Sequence, residues 1–537
     1  MGQSISQDNY SEKQTHSTPI GDFTGQILKS SINGEQSAIK FSQIPYAQSP
    51  SGSNRWKKPV PLPSDFNYTG DYTNDGKKNY QPAPTFEVSE EEAAKFKAPP
   101  IVQIQDTENI TYLNIFRPLG EPPKDGWPVF IYIHGGLLQN GDPVKSNPIE
   151  LFNKSAKENR KFILVIPGYR LNLFGFLSSS YINQTYGANF AFWDQRESIK
   201  WVYKNISHFQ GNSEQITLGG LSAGAHSSFY QLIYELYHPE ELQIIKRVVF
   251  FSNSVWAYPK PADDSQYSQI IEKLGIKGNT DEEIFHNLQK VDPKKLVEVI
   301  PELSNLTFKP RLDNDFISSS FLLDLQKGVI AAKLKQKDTK IIIGEVSNEG
   351  FAYSLRQTPH DLLELSNIID EHYNEKIIDV IFKHYGINET LTKEKIKHLY
   401  GEILGDGQIR YSSRGLLNNL TKYGFPTENI WRYKISYRTK TINEYILDES
   451  LGLLHGQDTS IWFYNETTFS KEDSARIWRF LQPYIKFLTF SNATGWENGD
   501  ITKVNHFTKS GDITYESDEA WEKGIEVVND VIEAQLQ

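Results

Sequence analysis

The residues best placed to do chemistry are three side chains far apart in the chain and one glycine-containing turn. Ser222 sits in Gly220-Leu221-Ser222-Ala223-Gly224, where a strand-like run, ITLGG, meets a helix-like run, AGAHSSFYQL. Flanking glycines allow the sharp strand-to-helix turn that lifts a serine into the open, and the helix that follows directs its amide end at the same point. A serine hydroxyl is a weak nucleophile unless a base accepts its proton and a carboxylate orients that base. His455 in LGLLHGQD and Glu349 in GEVSNEGFAY supply those residue types. An anion formed during acyl transfer also needs backbone donors, and His134-Gly135-Gly136-Leu137 follows the strand-like FIYI as a turn able to offer them. A capping serine in a Gly-rich turn, a surface histidine and an ordinary tight turn are the bland readings of each part. The three parts together support acyl transfer.

These residues must be held by a regular frame. Short runs rich in β-branched and aromatic residues predict strands at 127–136, 161–170, 215–222, 247–254, 339–347 and 428–438. Helical patterns fall between them at 192–206 and 223–237. This alternation predicts an α/β fold with a large, mostly parallel central sheet flanked by helices. The chain order Ser, acid, His is the one used on α/β-hydrolase folds. A mostly helical insertion at about 355–425 interrupts the strands and is expected to form a cap. Residues 1–20 are polar and aperiodic and read as a flexible arm, leaving 21–537 as one domain.

Composition narrows the function classes. The 537 residues carry 56 Lys+Arg against 67 Asp+Glu, a net charge of −11, with no long basic run, so a nucleic-acid partner is not expected. There is no cysteine, which excludes disulfides, thiolate metal sites and a cysteine nucleophile. Neither a signal peptide nor a membrane-spanning apolar run is evident, so a cytoplasmic location is expected. Met1-Gly2 with Ser6 matches the myristoylation pattern at Gly2. One acyl chain without a second anchor gives only weak, reversible membrane association. Eleven Asn-x-Ser/Thr triplets occur, several inside predicted elements, and are read as unused.

From about Asp22 to Gln537 the chain resembles the type-B carboxylesterases, the family that includes the cholinesterases. The likeness is carried by IPYA at 44–47, Arg55-Trp56, ENITYLNIFRP at 108–118, GYRLNLFGFL at 168–177 and GANFAFWDQRESIKWVYKNISHFQGN at 187–212. It continues through the serine segment, LDNDF at 312–316, SNEG at 347–350 and LLHGQD at 453–458. The combination IHGGLLQNG with GGLSAGAHS looks closer to a fungal branch of the family than to the animal enzymes. The resemblance implies nucleophile Ser222, acid Glu349 and base His455, with oxyanion donors on the amides of Gly136, Leu137 and Ala223. No metal or organic cofactor is implied.

Four departures from the family pattern bear on specificity. Leu137 stands where many relatives carry a third glycine, which disfavours bulky or tertiary alcohol esters. Leu221 replaces the glutamate often found before the nucleophile. Tyr80 and Ile110 occupy the places of a usual cysteine pair. Pro100 lies near the place of the choline-binding tryptophan, so cationic choline esters are disfavoured. The expected activity is hydrolysis of small to medium apolar esters through an acyl-enzyme, in an apolar covered pocket. Acyl transfer to an alcohol on the same residues and a catalytically silent binding protein are the alternatives.

Overall fold

The runs read as strands are buried on both faces, as parallel strands between two helical layers must be. In the computed structural model, which describes residues 9–83, 86–97, 104–255, 259–491 and 494–537, they join one 13-stranded sheet. Its centre is parallel: Ile163–Pro167, Trp127–Ile133, Gly211–Leu221, Arg247–Phe251, Lys340–Val346, Ile430–Ile435 and Lys503–Phe507 lie side by side in that order. The period of two along each strand divides the core. Val129, Ile131 and Ile133 enter one apolar cluster with Val248, Phe250, Ile341 and Ile343, whereas Phe130, Tyr132, Val249, Phe251 and Ile342 enter the cluster on the opposite face. Helices Phe190–Asn205 and Ala223–Tyr237 cover the first face, and helix Lys471–Leu488 covers the second. This is the α/β-hydrolase fold that the strand and helix pattern predicts.

The helical interruption appears between strands Lys340–Val346 and Ile430–Ile435. Helices Leu362–His372, Ile378–Tyr385, Lys393–Gly405 and Tyr411–Lys422 form most of it. They build a third apolar cluster with the C-terminal helix Trp521–Leu536, in which Leu365, Ile369 and Ile403 join Val527 and Val531. A close glycine contact docks this unit beside Glu349: a Cβ on Gly401 would lie 2.6 Å from the Gly350 carbonyl oxygen.

The amino-terminal segment differs from expectation. Tyr10–Thr18 is not a free arm but an edge strand, paired antiparallel with Gly21–Lys29. Its side chains are mostly exposed, so it carries no apolar alternation, and backbone pairing with Gly21–Lys29 sets its register. Lys13 adds an ion pair to Asp71 at 2.8 Å. Gly2 and Ser6 lie outside the described residues, as does Pro100. Where a cysteine pair is absent, backbone pairing joins the two segments. Lys78–Asn79 pairs with Asp106–Thr107, and the Tyr80 amide donates to the Thr107 carbonyl at 3.3 Å. Asn153, Asn419 and Asn465 of the glycosylation triplets are buried, leaving no room for a glycan at those amides. No helix among the described residues is long and apolar enough to cross a membrane.

Candidate active site

The serine turn exists because two glycines let it pack against a neighbouring strand. A Cβ on Gly220 would lie 2.3 Å from the Ile133 carbonyl oxygen, and one on Gly224 only 2.0 Å from the same atom. Any side chain at either position would push the turn off the end of strand Trp127–Ile133. Ser222, between them, has φ 58° and ψ −126°, a region that L residues occupy only under constraint. Its amide donates to the Phe251 carbonyl at 2.8 Å and its carbonyl accepts from the His226 amide at 3.1 Å. The backbone is thus pinned on both sides while the hydroxyl points into a chamber of about 300 Å³.

His455 reaches that chamber, and Glu349 stands buried behind it, from two turns that hydrogen-bond to each other. The Asn348 amide donates to the Leu453 carbonyl at 3.0 Å, and the His455 amide donates to the Asn348 carbonyl at 3.2 Å. This backbone pairing sets the two side chains face to face. His455 Nδ1 lies 2.6 Å from Glu349 Oε2, and Nε2 lies 2.8 Å from Ser222 Oγ. Glu349 is fully buried, and its other oxygen, Oε1, accepts from the Val346 amide at 2.7 Å. With both carboxylate oxygens engaged, Nδ1 is the nitrogen that carries the ring proton and Nε2 is left to accept from the serine hydroxyl. The three sequence-predicted residues, scattered over more than two hundred positions, form one hydrogen-bonded line.

The glycine turn after strand Trp127–Ile133 lies against the serine. A Cβ on Gly135 would lie 2.4 Å from the Leu221 carbonyl oxygen and 3.1 Å from Ser222 Cβ. Gly136 has φ 119° and Leu137 φ 57°, so the leucine holds a left-handed conformation that its Cβ disfavours. Surrounding hydrogen bonds impose it. Asn140 donates its amide to the Gly136 carbonyl at 2.9 Å, and Gln139 Nε2 donates to the carbonyls of Leu137 and Phe308 at 3.0 and 2.6 Å. Gly136 and Leu137 line the chamber with Ser222 and His455, while Ala223, the first residue of its helix, lines an adjoining cavity.

Two further groups beside the site gave no isolated sequence signal. Tyr353 follows Glu349 by one helical turn, in Phe351–Ser354, and its ring lies 5.3 Å from the His455 ring. Its hydroxyl donates to Gln408 Oε1 at 3.0 Å, and the residue lines the chamber with Ser222. Burial, and then the Glu349 charge, push this phenol far above its ordinary range. Asp458, three residues beyond His455, is fully buried and accepts from Trp462 Nε1 at 2.8 Å. Burial and then the Glu349 charge push its carboxyl up to about 6. Their spacing from Glu349 and His455 was the available clue.

A hydroxyl, an imidazole and a carboxylate in line, beside a turn rich in backbone amides, form an arrangement suited to acyl transfer. Comparison with known proteins agrees. The carboxylesterase family model matches residues 12–523. An uncharacterized esterase/lipase of Schizosaccharomyces pombe is 34% identical over 507 residues, covering 92% of each chain. A carboxylic ester hydrolase of Gibberella moniliformis is 29% identical, covering 96% of each. A mouse cholinesterase is 28% identical over 68% of this chain and 58% of its own length. On the match across nearly its whole length, the chain belongs to the carboxylesterase family and is a carboxylesterase built on the α/β-hydrolase fold.

Proposed function

We propose that the protein hydrolyses small to medium carboxylic esters through a covalent acyl-enzyme on Ser222. The observation that carries this reading is the position of His455, 2.8 Å from the Ser222 hydroxyl on one side and 2.6 Å from the Glu349 carboxylate on the other. His455 Nε2 takes the hydroxyl proton as Ser222 Oγ attacks the ester carbonyl carbon, and the carbonyl oxygen becomes the oxyanion. The amides of Gly136, Leu137 and Ala223 are the donors assigned to that oxyanion. Each such donor is worth about 3 kcal/mol of barrier in sites of this kind. The imidazolium then gives its proton to the alcohol oxygen as the C–O bond breaks. Water repeats the attack on the acyl-enzyme with His455 again as base, which releases the acid and restores Ser222. Glu349 holds the Nδ1 proton and stabilises the imidazolium without taking the proton. Leu137, a side chain where a third glycine would leave space, works against bulky alcohol groups.

Replacement of Ser222 by alanine tests the reading. Ser222→Ala is expected to lower kcat for p-nitrophenyl butyrate by about 10⁴-fold or more, with an unchanged circular dichroism spectrum. A fluorophosphonate should label the parent protein and not the variant. Turnover that survives the substitution removes Ser222 from the mechanism.

A further inference from the structure

The cavity that adjoins the Ser222 chamber, about 120 Å³, has the mostly apolar wall expected from composition, but that wall also carries charged side chains. Leu137, Tyr353 and Arg356 line both spaces, so the two meet at these side chains. Four cationic side chains line the cavity, Lys260, Lys309, Arg311 and Arg356, against a single lining carboxylate, Glu371. Two of the cations are already matched: Lys260 pairs with Asp370 at 2.7 Å and Arg311 with Asp263 at 2.9 Å.

The other two are not held this way. Among the described residues Arg356 has no carboxylate within 4.0 Å; its neighbours are the Phe86 ring at 4.9 Å and the phenols of Tyr353 and Tyr400. Lys309 Nζ is buried and makes no hydrogen bond among the described residues. Glu371 faces it from beyond ion-pair distance. Burial draws the Lys309 ammonium down to about 7 and raises the Glu371 carboxyl, while the adjacent His372 is kept neutral by burial and by Lys309. Even if Glu371 offsets one charge, one positive charge remains in excess. A buried ammonium without a matched partner is costly, and an aliphatic residue would have filled the same space without that penalty; the half-buried Arg356 lines the same cavity with no ion-pair partner among the described residues. An incoming anion is the partner that would satisfy both.

We infer that this cavity is a subsite for a carboxylate carried by the ester substrate, with Arg356 offering a planar two-pronged contact and Lys309 a point charge. The inference rests on the Ser222 esterase reading and narrows its substrate class to esters with a carboxylate several bonds from the scissile carbonyl. Arg356, at the junction of the two spaces, meets the substrate first. Lys309, deeper among His372 and Glu371, gains its full charge when a carboxylate arrives.

Matched ester pairs on the purified full-length protein test this. p-Nitrophenyl octanoate and the mono-p-nitrophenyl ester of suberic acid differ only by the terminal carboxylate. Phenyl butyrate and 4-carboxyphenyl butyrate place that charge on the alcohol side instead. In at least one pair the carboxylate ester is expected to have the higher kcat/KM, by about tenfold or more, in keeping with hydrogen bonds to charged groups. Arg356→Gln and Lys309→Met should each reduce that ratio about tenfold, chiefly through KM, and Arg356→Lys should restore part of it. Circular dichroism reports whether a variant has folded, and the neutral ester of each pair separates loss of charge preference from general loss of turnover. A ratio at or below one in both pairs with the parent protein overturns the subsite, whatever the variants do, and so does a ratio that neither substitution changes. Absence of turnover for every ester sinks the Ser222 reading itself, a different outcome from hydrolysis without charge preference.

Discussion

The two spaces that meet at Leu137, Tyr353 and Arg356 treat their polar groups in opposite ways. Around Ser222 the groups close on one another: hydroxyl to imidazole, imidazole to carboxylate, carboxylate to the Val346 amide. In the adjoining cavity Lys309 Nζ and Arg356 are left without such closure. The difference separates two uses of buried polarity. A closed network has nothing further to recognise and serves to hold geometry, whereas an open one stores an unmet interaction that only a ligand can complete.

The comparison can be broken most forcefully on its closed side. Glu349→Gln keeps the shape of the line but offers an amide where a carboxylate stabilised the charged imidazole, so kcat should fall by about 10³- to 10⁴-fold with little change in KM. Steady-state kinetics on a neutral ester measure this, and a loss below about tenfold would mean that the closed network does not hold the imidazole for catalysis.

A second test uses a strained charge behind that line, Asp458, whose Oδ1 is buried without a hydrogen-bond partner among the described residues. Folding raises the Asp458 carboxyl from 3.8 to about 6. Above that value the folded chain holds a buried charge that the unfolded chain keeps in water. The penalty is full there, shrinks as the pH falls through the interval between the two values, and vanishes once both states are protonated. Asp458→Asn should therefore stabilise the protein by up to about 3 kcal/mol at about pH 8 and by almost nothing below about pH 4. Denaturant unfolding at both pH values reads the difference. A gain that is the same at both would show that packing, not charge, is what the substitution changed.

The smallest effect belongs to the shared wall. Tyr353→Phe removes one hydroxyl near Ser222 and its bond to Gln408, and should lower kcat for a neutral ester by no more than about tenfold. A loss comparable with that of Glu349→Gln would move Tyr353 from the wall into the chemistry itself.

Much of the closed side was legible before any coordinates. Ser222 lies in a local code, a serine between glycines at a strand-to-helix junction, and the same local logic marks the Gly135-Gly136 turn. His455 and Glu349 were legible through chain order and neighbouring residues. The central strands were legible because burial on both faces leaves near-continuous apolar runs. The edge strand Tyr10–Thr18 was not, since one side chain after another faces water and the backbone bonds that set its register leave no trace in residue type. Asp458 and Tyr353 sit close to marked residues, yet aspartate after a histidine or tyrosine after a glutamate is unremarkable until the fold buries both against one carboxylate.

By itself, then, the amino-acid order determined what acts locally: which turn can be sharp, which segments alternate strand and helix, and that no cysteine chemistry is available. Tertiary structure alone decided which charges have partners. Lys260 is the same residue type as Lys309, and Arg311 the same as Arg356, and only their distances to Asp370, Asp263 and Glu371 separate the matched from the unmatched. The reason is physical: attraction between charges and the penalty of removing them from water both depend on separation and burial, and neither quantity exists until the chain has folded.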